Sequence, residues 1–414
     1  MTASDSRPNS ARRDVAILIA AFAFVAAVRI SAPSDLATGD QPYQVDYIRD
    51  VVHNGAWAAQ HLANGTAATK PPLYNWLAAI GVIATGSESD FVLKLPSLLA
   101  GLLTLLLIWD LARDAAGPDA ALFAGLFLVC STMYSKQIYF ARTDMLLTAL
   151  IVVQVWAALR RGGPLLFWLA GALAMLTKGP IGVVIPILGL SIWWWQRGEL
   201  RQRWSEMHFV WGLIFVVAVF GGWFLIAIRH DPGVFDQLVY AETIDRFKAT
   251  SMKSKENRHV FYYIPHFLGR MAPASIFAIV AVVALFRERL QREKAGVYLW
   301  WFLATFVLLS LVPSKRADRL FPLFPAVCVL AGWAAARPFP RVIRACGILF
   351  ALIGLAAAFS PLFMNTGALL VAAGVVILAS GLAALRLTPR SAVIAISVAM
   401  VAMITAYQHS APLR

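Results

Sequence analysis

Apolar runs of about 20 residues recur along this 414-residue chain, and they restrict what it can fold into. Hydrophobic residues make up 60% of the sequence and charged residues only 14%, which is too little charge to cover a water-facing surface. In lipid, every backbone N–H and C=O group must find a partner within the protein, so the runs must be helices. The sequence therefore predicts an all-α integral membrane protein and excludes a soluble globular one.

About thirteen membrane-spanning helices are predicted. The first runs from Val15 to about Ile30 and is interpreted as a retained span, because no small-residue cleavage site followed by a soluble domain is found. The others are expected near residues 95–112, 119–135, 144–159, 164–177, 180–196, 208–229, 265–286, 296–312, 320–336, 343–360, 366–385 and 391–408. The three cysteines fall inside these apolar runs, so no disulfide framework is predicted.

Lysine and arginine residues indicate which way the spans face. The positive-inside rule places residues 1–13 and the basic loops at 197–203 and 337–344 in the cytoplasm. Basic residues also occur in the outer loops, where the rule disfavours them: Lys70, Lys136, Arg142, Lys178, Arg246, Lys248, Lys253, Lys255, Arg258, Lys315, Arg316 and Arg319. This excess predicts an anionic ligand on the outer face. The net charge of +14 is otherwise scattered, so no nucleic-acid partner is expected.

Three regions follow from this topology: a cytoplasmic tail (1–13), a membrane module (14–336) with large outer loops at 34–93 and 230–265, and C-terminal spans (337–414). In the first outer loop, apolar residues recur at helical spacing from Tyr43, which predicts an amphipathic helix on the membrane surface that ends at Asn54-Gly55. Pro71-Pro72 predicts the start of a short apolar helix over 73–84. Lys70 would stand beside the positive end of that helix, where a phosphate is favoured.

Charged residues at the ends of spans are the other site candidates. Asp144 begins the fourth span, where it is either a site carboxylate or an acid that caps the first turn, and the sequence leaves both open. Lys178 precedes Gly179-Pro180. The simpler interpretation is that Lys178 extends its charged end to the membrane surface and that Gly179-Pro180 forms a turn. Lys315 and Arg316 lie in a tight outer turn with Arg319, which favours an anion site.

Seven short motifs follow one another along the chain. They are Gly39-Asp40, Thr69-Lys70-Pro71-Pro72-Leu73-Tyr74, Lys94-Leu95-Pro96-Ser97, Ala141-Arg142-Thr143-Asp144, Thr177-Lys178-Gly179-Pro180, Arg246-Phe247 before Tyr262-Tyr263, and Ser314-Lys315-Arg316 before Leu323-Phe324-Pro325. In these motifs and their order, the chain from Gly39 to about Pro325 resembles the bacterial aminoarabinose transferases of lipid A and the related protein mannosyltransferases, which are GT-C glycosyltransferases. The resemblance implies a GT-C-like bundle in the bacterial inner membrane, a sugar donor linked to undecaprenyl phosphate or another polyprenyl phosphate, and an active site on the periplasmic face.

The resemblance also implies residue roles. Asp40 is the expected catalytic base and Asp144 a second catalytic carboxylate. The donor phosphate is expected to contact Lys70, Arg246, Lys315 and Arg316, and further substrate or lipid contacts are expected from Tyr43, Tyr74, Lys178, Tyr262 and Tyr263. The expected reaction is sugar transfer, with inversion, to lipid A, lipopolysaccharide or another glycolipid or protein of the cell envelope.

Two questions stay open at this stage. Gln41 and Thr69 stand where the aminoarabinose transferases usually carry acids, so the residues require no cofactor and a divalent metal is left as an alternative. The competing function is a transporter or flippase of a lipid-linked sugar, which would place charged residues near the bilayer centre and often shows repeated halves. The charged residues here cluster at the outer ends of spans, which favours transfer.

Overall fold

The structure is a computed structural model that describes residues 8–160, 162–244, 259–290, 293–312, 315–337, 339–359 and 368–410. These ranges are helical almost throughout, and the β pairing found within them is an isolated bridge between His61 and Ala67. The prediction of an all-α protein is confirmed.

The helices follow one another with short connections. They are α1 (Pro8–Ser31), α2 (Gln41–Asn54), α3 (Leu73–Thr85), α4 (Asp90–Ala116), α5 (Pro118–Val129), α6 (Thr132–Gln137), α7 (Thr143–Leu159), α8 (Gly163–Lys178), α9 (Ile181–Arg197), α10 (Leu200–Glu206), α11 (Phe209–His230), α12 (Gly233–Phe235), α13 (Tyr263–Arg270), α14 (Ala274–Arg287), α15 (Gly296–Leu311), α16 (Phe324–Ala335), α17 (Pro340–Ala358), α18 (Ala368–Arg386) and α19 (Pro389–Ser410). A π-helix (Asp236–Ile244) follows α12, and 3₁₀ turns at Val260–Tyr262 and Ala317–Leu323 precede α13 and α16.

Every predicted span coincides with a helix or a helix pair. Within the described ranges, six of these are long and apolar enough to cross a membrane, and a seventh is added if the bent pair α13–α14 is one span. Several others, such as α5, α7 and α8, are apolar but shorter. The count of thirteen crossings therefore stays a prediction.

The span expected over 265–286 differs from a continuous helix. The structure breaks it into α13 and α14, whose axes are bent by 115°. Pro273 lies in the break, where its ring and missing N–H prevent an α-helix from continuing through it. The consequence is that Arg270, at the end of α13, is brought towards the loops that form the cavity described below.

The first outer loop contains both predicted helices. Gly55 ends α2 in the left-handed conformation (φ 67°), and Pro72 precedes α3. The apolar face of α2, which includes Val45, Ile48 and Val51, is buried, and α2 packs on α3. The amphipathic helix is present, and its apolar face packs inside the protein; its position on the membrane surface stays a prediction.

The helices α5 and α16 form the centre of the bundle. Every residue of α16 is buried, as expected for a helix that is hydrophobic all round. Gly332 allows the close approach of the two helices, since a Cβ atom built there would lie 2.9 Å from the Ala124 nitrogen and closer still to the Ala120 carbonyl oxygen. Small residues permit such packing in membrane bundles.

Gly332→Ala is therefore expected to lower the free energy of unfolding by about 1–3 kcal/mol, because the backbone of α5 would have to move. Gly221→Ala on α11 is the matched control, since nothing lies within 4 Å of a Cβ atom built at Gly221. Thermal unfolding of both variants in detergent measures the difference. A wild-type melting temperature for Gly332→Ala would contradict the close approach of α5 and α16.

Candidate active site

Loops and helix ends converge at one end of the bundle around a cavity of about 410 Å³. Its walls come from the loop after α1, the start of α2, the loop before α3, the start of α7, the end of α8 and the turn before α16. The lining residues are Asp40, Tyr43, Gln44, Tyr47, Leu62, Asn64, Thr69, Lys70, Arg142, Thr143, Asp144, Lys178, Arg316, Asp318 and Arg319. Five cations and three carboxylates leave this lining with an excess of two positive charges.

Asp40 stands at the N-cap position of α2, but its side chain makes no capping hydrogen bond. Its Oδ2 atom instead lies 2.9 Å from a terminal nitrogen of Arg316 and 3.4 Å from one of Arg142. The side chain is 45% exposed and opens into the cavity. The structure therefore holds this carboxylate on arginine side chains that are distant in the sequence.

The charge state of Asp40 follows from these neighbours. Partial burial raises its pKa, but the guanidinium groups of Arg316 and Arg142, with a smaller effect from Lys70, outweigh burial and hold the pKa below its usual value. Asp40 is consequently ionised at neutral pH. It accepts hydrogen bonds from Arg142 and Arg316, and while it does so it is a weak base.

Arg142 contacts all three carboxylates of the cavity. Its terminal nitrogens lie 3.4 Å from Asp40, 3.3 Å from Asp144 and 3.1 Å from Asp318, and its side chain is only 12% exposed. The backbone before it is fixed by Gln41, whose Oε1 accepts the Ala141 N–H at 3.0 Å. Arg142 is therefore held rigidly between loops from three parts of the chain.

Asp144 pairs with Lys178, which ends α8, and with Arg142. The Asp144 side chain is 2% exposed and is the acid of the first turn of α7. The position in the first turn fits one of the two interpretations of Asp144, and the two ion pairs favour the other, a carboxylate of the site. A buried carboxylate with two cationic partners is a component of the cavity, and Lys178 is one of those partners.

Asp318 was not singled out from the sequence. It accepts from Arg142 at 3.1 Å and lies 3.6 Å from Arg270 and 3.9 Å from Arg316. The available signal was its position between Arg316 and Arg319, because an acid inside a cationic turn can orient its neighbours. Arg142 was named in a motif without a role and Arg319 as a member of the cationic turn, and both line the cavity.

Several predicted site residues do not line this cavity. Tyr74 is buried and donates to the Phe140 carbonyl at 3.3 Å, so it supports the segment that carries Arg142. Lys315 is buried and donates to the Val312 carbonyl at 2.9 Å, while Tyr262 packs edge-on against Tyr263. Their substrate contacts stay predictions. Arg246 lies in 245–258, outside the described residues.

The side-chain oxygen atoms that could bind a metal ion take part in hydrogen bonds and ion pairs within the protein. Gln41 is fully buried, and its amide donates to the Asp35 carbonyl at 2.8 Å, so this residue serves the fold. The three carboxylates of the cavity are all paired with cations. Among the residues that the structure describes, no group of three His, Cys, Asp or Glu side chains is placed to hold a metal ion.

Comparison with known proteins finds a matching family profile and similar curated proteins. The profile of the Dolichyl-phosphate-mannose-protein mannosyltransferase family matches residues 69–223. An undecaprenyl phosphate-alpha-4-amino-4-deoxy-L-arabinose arabinosyl transferase from Erwinia tasmaniensis is 26% identical over 327 residues, which cover 75% of this chain and 58% of the relative. The protein of the same description from Serratia proteamaculans is 24% identical over 350 residues, covering 80% of this chain and 61% of the relative. The chain thus spans about three fifths of the length of these curated relatives.

Solved structures show the same architecture. ArnT from Cupriavidus metallidurans, bound to undecaprenyl phosphate, superposes with a TM-score of 0.78 at 22% identity, covering 97% of this chain and 78% of that protein. The arabinosyltransferase EmbB from Mycobacterium smegmatis superposes with a TM-score of 0.56 at 18% identity, covering 98% of this chain and 42% of EmbB. The expected bundle is confirmed: this chain is a polytopic membrane protein of GT-C fold that resembles the aminoarabinose transferases.

Proposed function

We propose that this protein is a glycosyltransferase that moves a sugar from a polyprenyl phosphate, undecaprenyl phosphate in bacteria, to a hydroxyl of an acceptor in the cell envelope. The observation that carries the proposal is the cavity itself, in which a half-exposed carboxylate, Asp40, stands among cations with a net positive charge. A base beside an anion site is what this transfer requires. The relatives named for undecaprenyl phosphate support the donor class.

The cations would bind the donor phosphate. Lys70 and Arg316 line the cavity together with Arg319. A donor phosphodiester carries one negative charge, and the leaving phosphate gains a second as its bond to the sugar breaks. Fixed cations aimed at this developing charge stabilise the transition state more than the ground state.

Asp40 would act as the general base. Its carboxylate takes the proton of the acceptor hydroxyl while the hydroxyl oxygen bonds to the anomeric carbon of the sugar. The bond between that carbon and the phosphate oxygen breaks at the same time, and its electron pair leaves with the phosphate. Because the attacking and leaving oxygens lie on opposite faces of the carbon, the configuration inverts.

The polyprenyl tail needs an apolar path away from the cavity. A groove of about 290 Å³ lies between α3, α4 and α7 and is lined by residues such as Leu77, Leu99 and Leu103. Leu146 on the same wall is two positions from Asp144 along α7. Part of a tail in this groove would gain about 25 cal/mol for each Å² of apolar surface that it buries.

The proposed acceptor is lipid A, lipopolysaccharide or another glycolipid or protein, reached from the periplasmic face of the inner membrane. The distribution of lysine and arginine supports this orientation, because the positive-inside rule places the loops around the cavity outside. The amino sugar in the descriptions of the relatives is the donor sugar of those proteins. Because Gln41 and Thr69 differ from the residues that the aminoarabinose transferases usually carry, the sugar that this chain transfers is to be identified by experiment.

The test is sugar transfer by purified protein in liposomes, given radiolabelled polyprenyl-phosphate sugars and a membrane glycolipid extract. Lys70→Ala is expected to lower transfer by about 10²–10³-fold, because one cation on the leaving phosphate is lost. The matched control is Arg49→Ala, which removes an exposed cation from α2 that pairs with Glu88 outside the cavity.

The labelled product would identify the acceptor. Equal transfer by wild type and Lys70→Ala would remove Lys70 from the phosphate site. If no donor gave a product while labelled donor crossed the bilayer, the protein would be a transporter and the proposed function would be wrong.

A further inference from the structure

We propose that Arg316 couples donor binding to the basicity of Asp40: it pairs with Asp40 before the donor binds and moves to the donor phosphate when the donor is bound. The proposal rests on the proposed function, because it assumes that the anion in the cavity is the phosphate of the donor. It concerns a positioning role for Arg316 that goes beyond phosphate binding.

The contacts of Asp40 identify the side chain that controls it. Arg316 and Arg142 approach the same Oδ2 atom, Arg316 at 2.9 Å and Arg142 at 3.4 Å. The shorter contact belongs to Arg316, whose charge is also the largest of the opposing influences on the carboxylate after burial. Removing this one guanidinium would therefore change Asp40 more than removing Arg142.

The two arginines differ in how firmly they are held. Arg142 contacts Asp144 and Asp318 in addition to Asp40 and is 12% exposed, so it cannot leave without breaking ion pairs with two further carboxylates, of which Asp144 is buried. Arg316 is 48% exposed, and its second contact, to Asp318, is 3.9 Å long. Arg316 is the partner of Asp40 that can move at low cost.

The donor phosphate offers Arg316 a better partner as the reaction proceeds. A guanidinium binds two phosphate oxygens side by side, and such charge-assisted pairs are stronger than single contacts. Asp40 uses only its Oδ2 atom for the two arginines. Since the leaving phosphate gains negative charge while Asp40 takes a proton and loses its own, the preference of Arg316 for the phosphate, present once the donor is bound, increases further during the transfer.

The consequence is that Asp40 becomes an effective base when the leaving group is in place. The groups that determine its protonation are Arg316, Arg142 and Lys70, which act on it directly. Two further carboxylates act on Asp40 through Arg142, namely Asp144 and Asp318. Lys178 acts through Asp144. Once Arg316 has moved, the pKa of Asp40 rises. Arg142 and Lys70 remain beside the carboxylate, so Asp40 still stays ionised at neutral pH.

The experiment is an infrared pH titration of the Asp40 carboxyl group in the full-length protein, with the band assigned by its loss in Asp40→Asn. Titrations are recorded with and without saturating undecaprenyl phosphate, for wild type and Arg316→Gln. In wild type the lipid phosphate is expected to raise the pKa of Asp40 by about one unit or more. In Arg316→Gln the pKa is expected to be raised already without lipid, and the lipid should add a clearly smaller change.

Arg49→Gln is the matched control, because it removes an exposed cation of α2 that pairs with Glu88 outside the cavity, and it should keep the wild-type response. Equal responses in wild type and Arg316→Gln would show that the phosphate acts on Asp40 by direct repulsion, which overturns the proposal. An unchanged titration in wild type with lipid bound would overturn it as well.

The titration needs no turnover, so its result is separate from that of the transfer assay. A protein that transfers sugar but whose Asp40 titrates alike with and without lipid would keep the proposed function and lose the coupling. A protein that shifts the Asp40 titration through Arg316 yet transfers no sugar would keep the coupling to a bound phosphate and lose the proposed function.

Discussion

Asp40→Asn is expected to lower sugar transfer by roughly 10²–10⁴-fold, the range that a general base contributes. An amide cannot take the acceptor proton, but it keeps the size of the carboxyl group. The surrounding structure should persist, because Arg142 keeps its contacts with Asp144 and Asp318, and Arg316 is half-exposed. Transfer rates at saturating donor and acceptor, with folding checked by thermal unfolding, measure the effect.

Donor binding distinguishes loss of the base from loss of the site. Asp40→Asn removes a negative charge from a cavity that is already net positive, so undecaprenyl phosphate should bind as tightly as to wild type or more tightly. Asp46→Asn, which lies in α2 and outside the cavity lining, is the matched control and should transfer sugar normally. Transfer by Asp40→Asn within a factor of ten of wild type would remove Asp40 as the base.

Asp144→Asn is expected to have the largest effect on stability, a loss of about 3–5 kcal/mol. The Asp144 side chain is 2% exposed and neutralises Lys178 while it shares Arg142 with Asp40 and Asp318. Without the carboxylate, the lysine at the end of α8 loses its ion-pair partner in a largely buried place. Unfolding in detergent, followed by circular dichroism, measures the loss.

A second variant separates charge from packing. Asp144→Asn combined with Lys178→Met removes both members of the pair and should recover much of the stability, because no unpaired charge is then left inside. Arg142 retains two carboxylate partners in this double variant. If the single variant were as stable as wild type, the pair of Asp144 with Lys178 would contribute nothing to the fold.

Much of the site was predictable because charged residues are costly beside membrane-spanning segments and are therefore easy to recognise in the sequence. Asp40, Lys70, Asp144 and Lys178 stand beside apolar runs on the face where the positive-inside rule disfavours cations, and the structure brings all four to one cavity with Arg316. The helices were predictable for the same reason, since apolar runs in lipid can only be helical.

The pairing of charges could not be predicted. Arg142 and Asp318 are 176 residues apart in the sequence, and no local pattern reports which cation meets which acid. The bend between α13 and α14 was missed because apolar composition continues through Pro273. The sequence also contained no sign that Tyr74, a motif residue expected at the substrate, is buried and hydrogen-bonded to carbonyl groups of the fold.

The bridge between Asp40 and Arg316 also has a consequence during biosynthesis. The ribosome makes Asp40 soon after the first span, but its partner Arg316 and the shared acid Asp318 emerge only after α15. Until that turn is made, a nascent chain carries Asp40 without the Arg316 cation that pairs with it and without a complete cavity lining. The cavity is therefore completed late in translation, after α1 to α15 have been made.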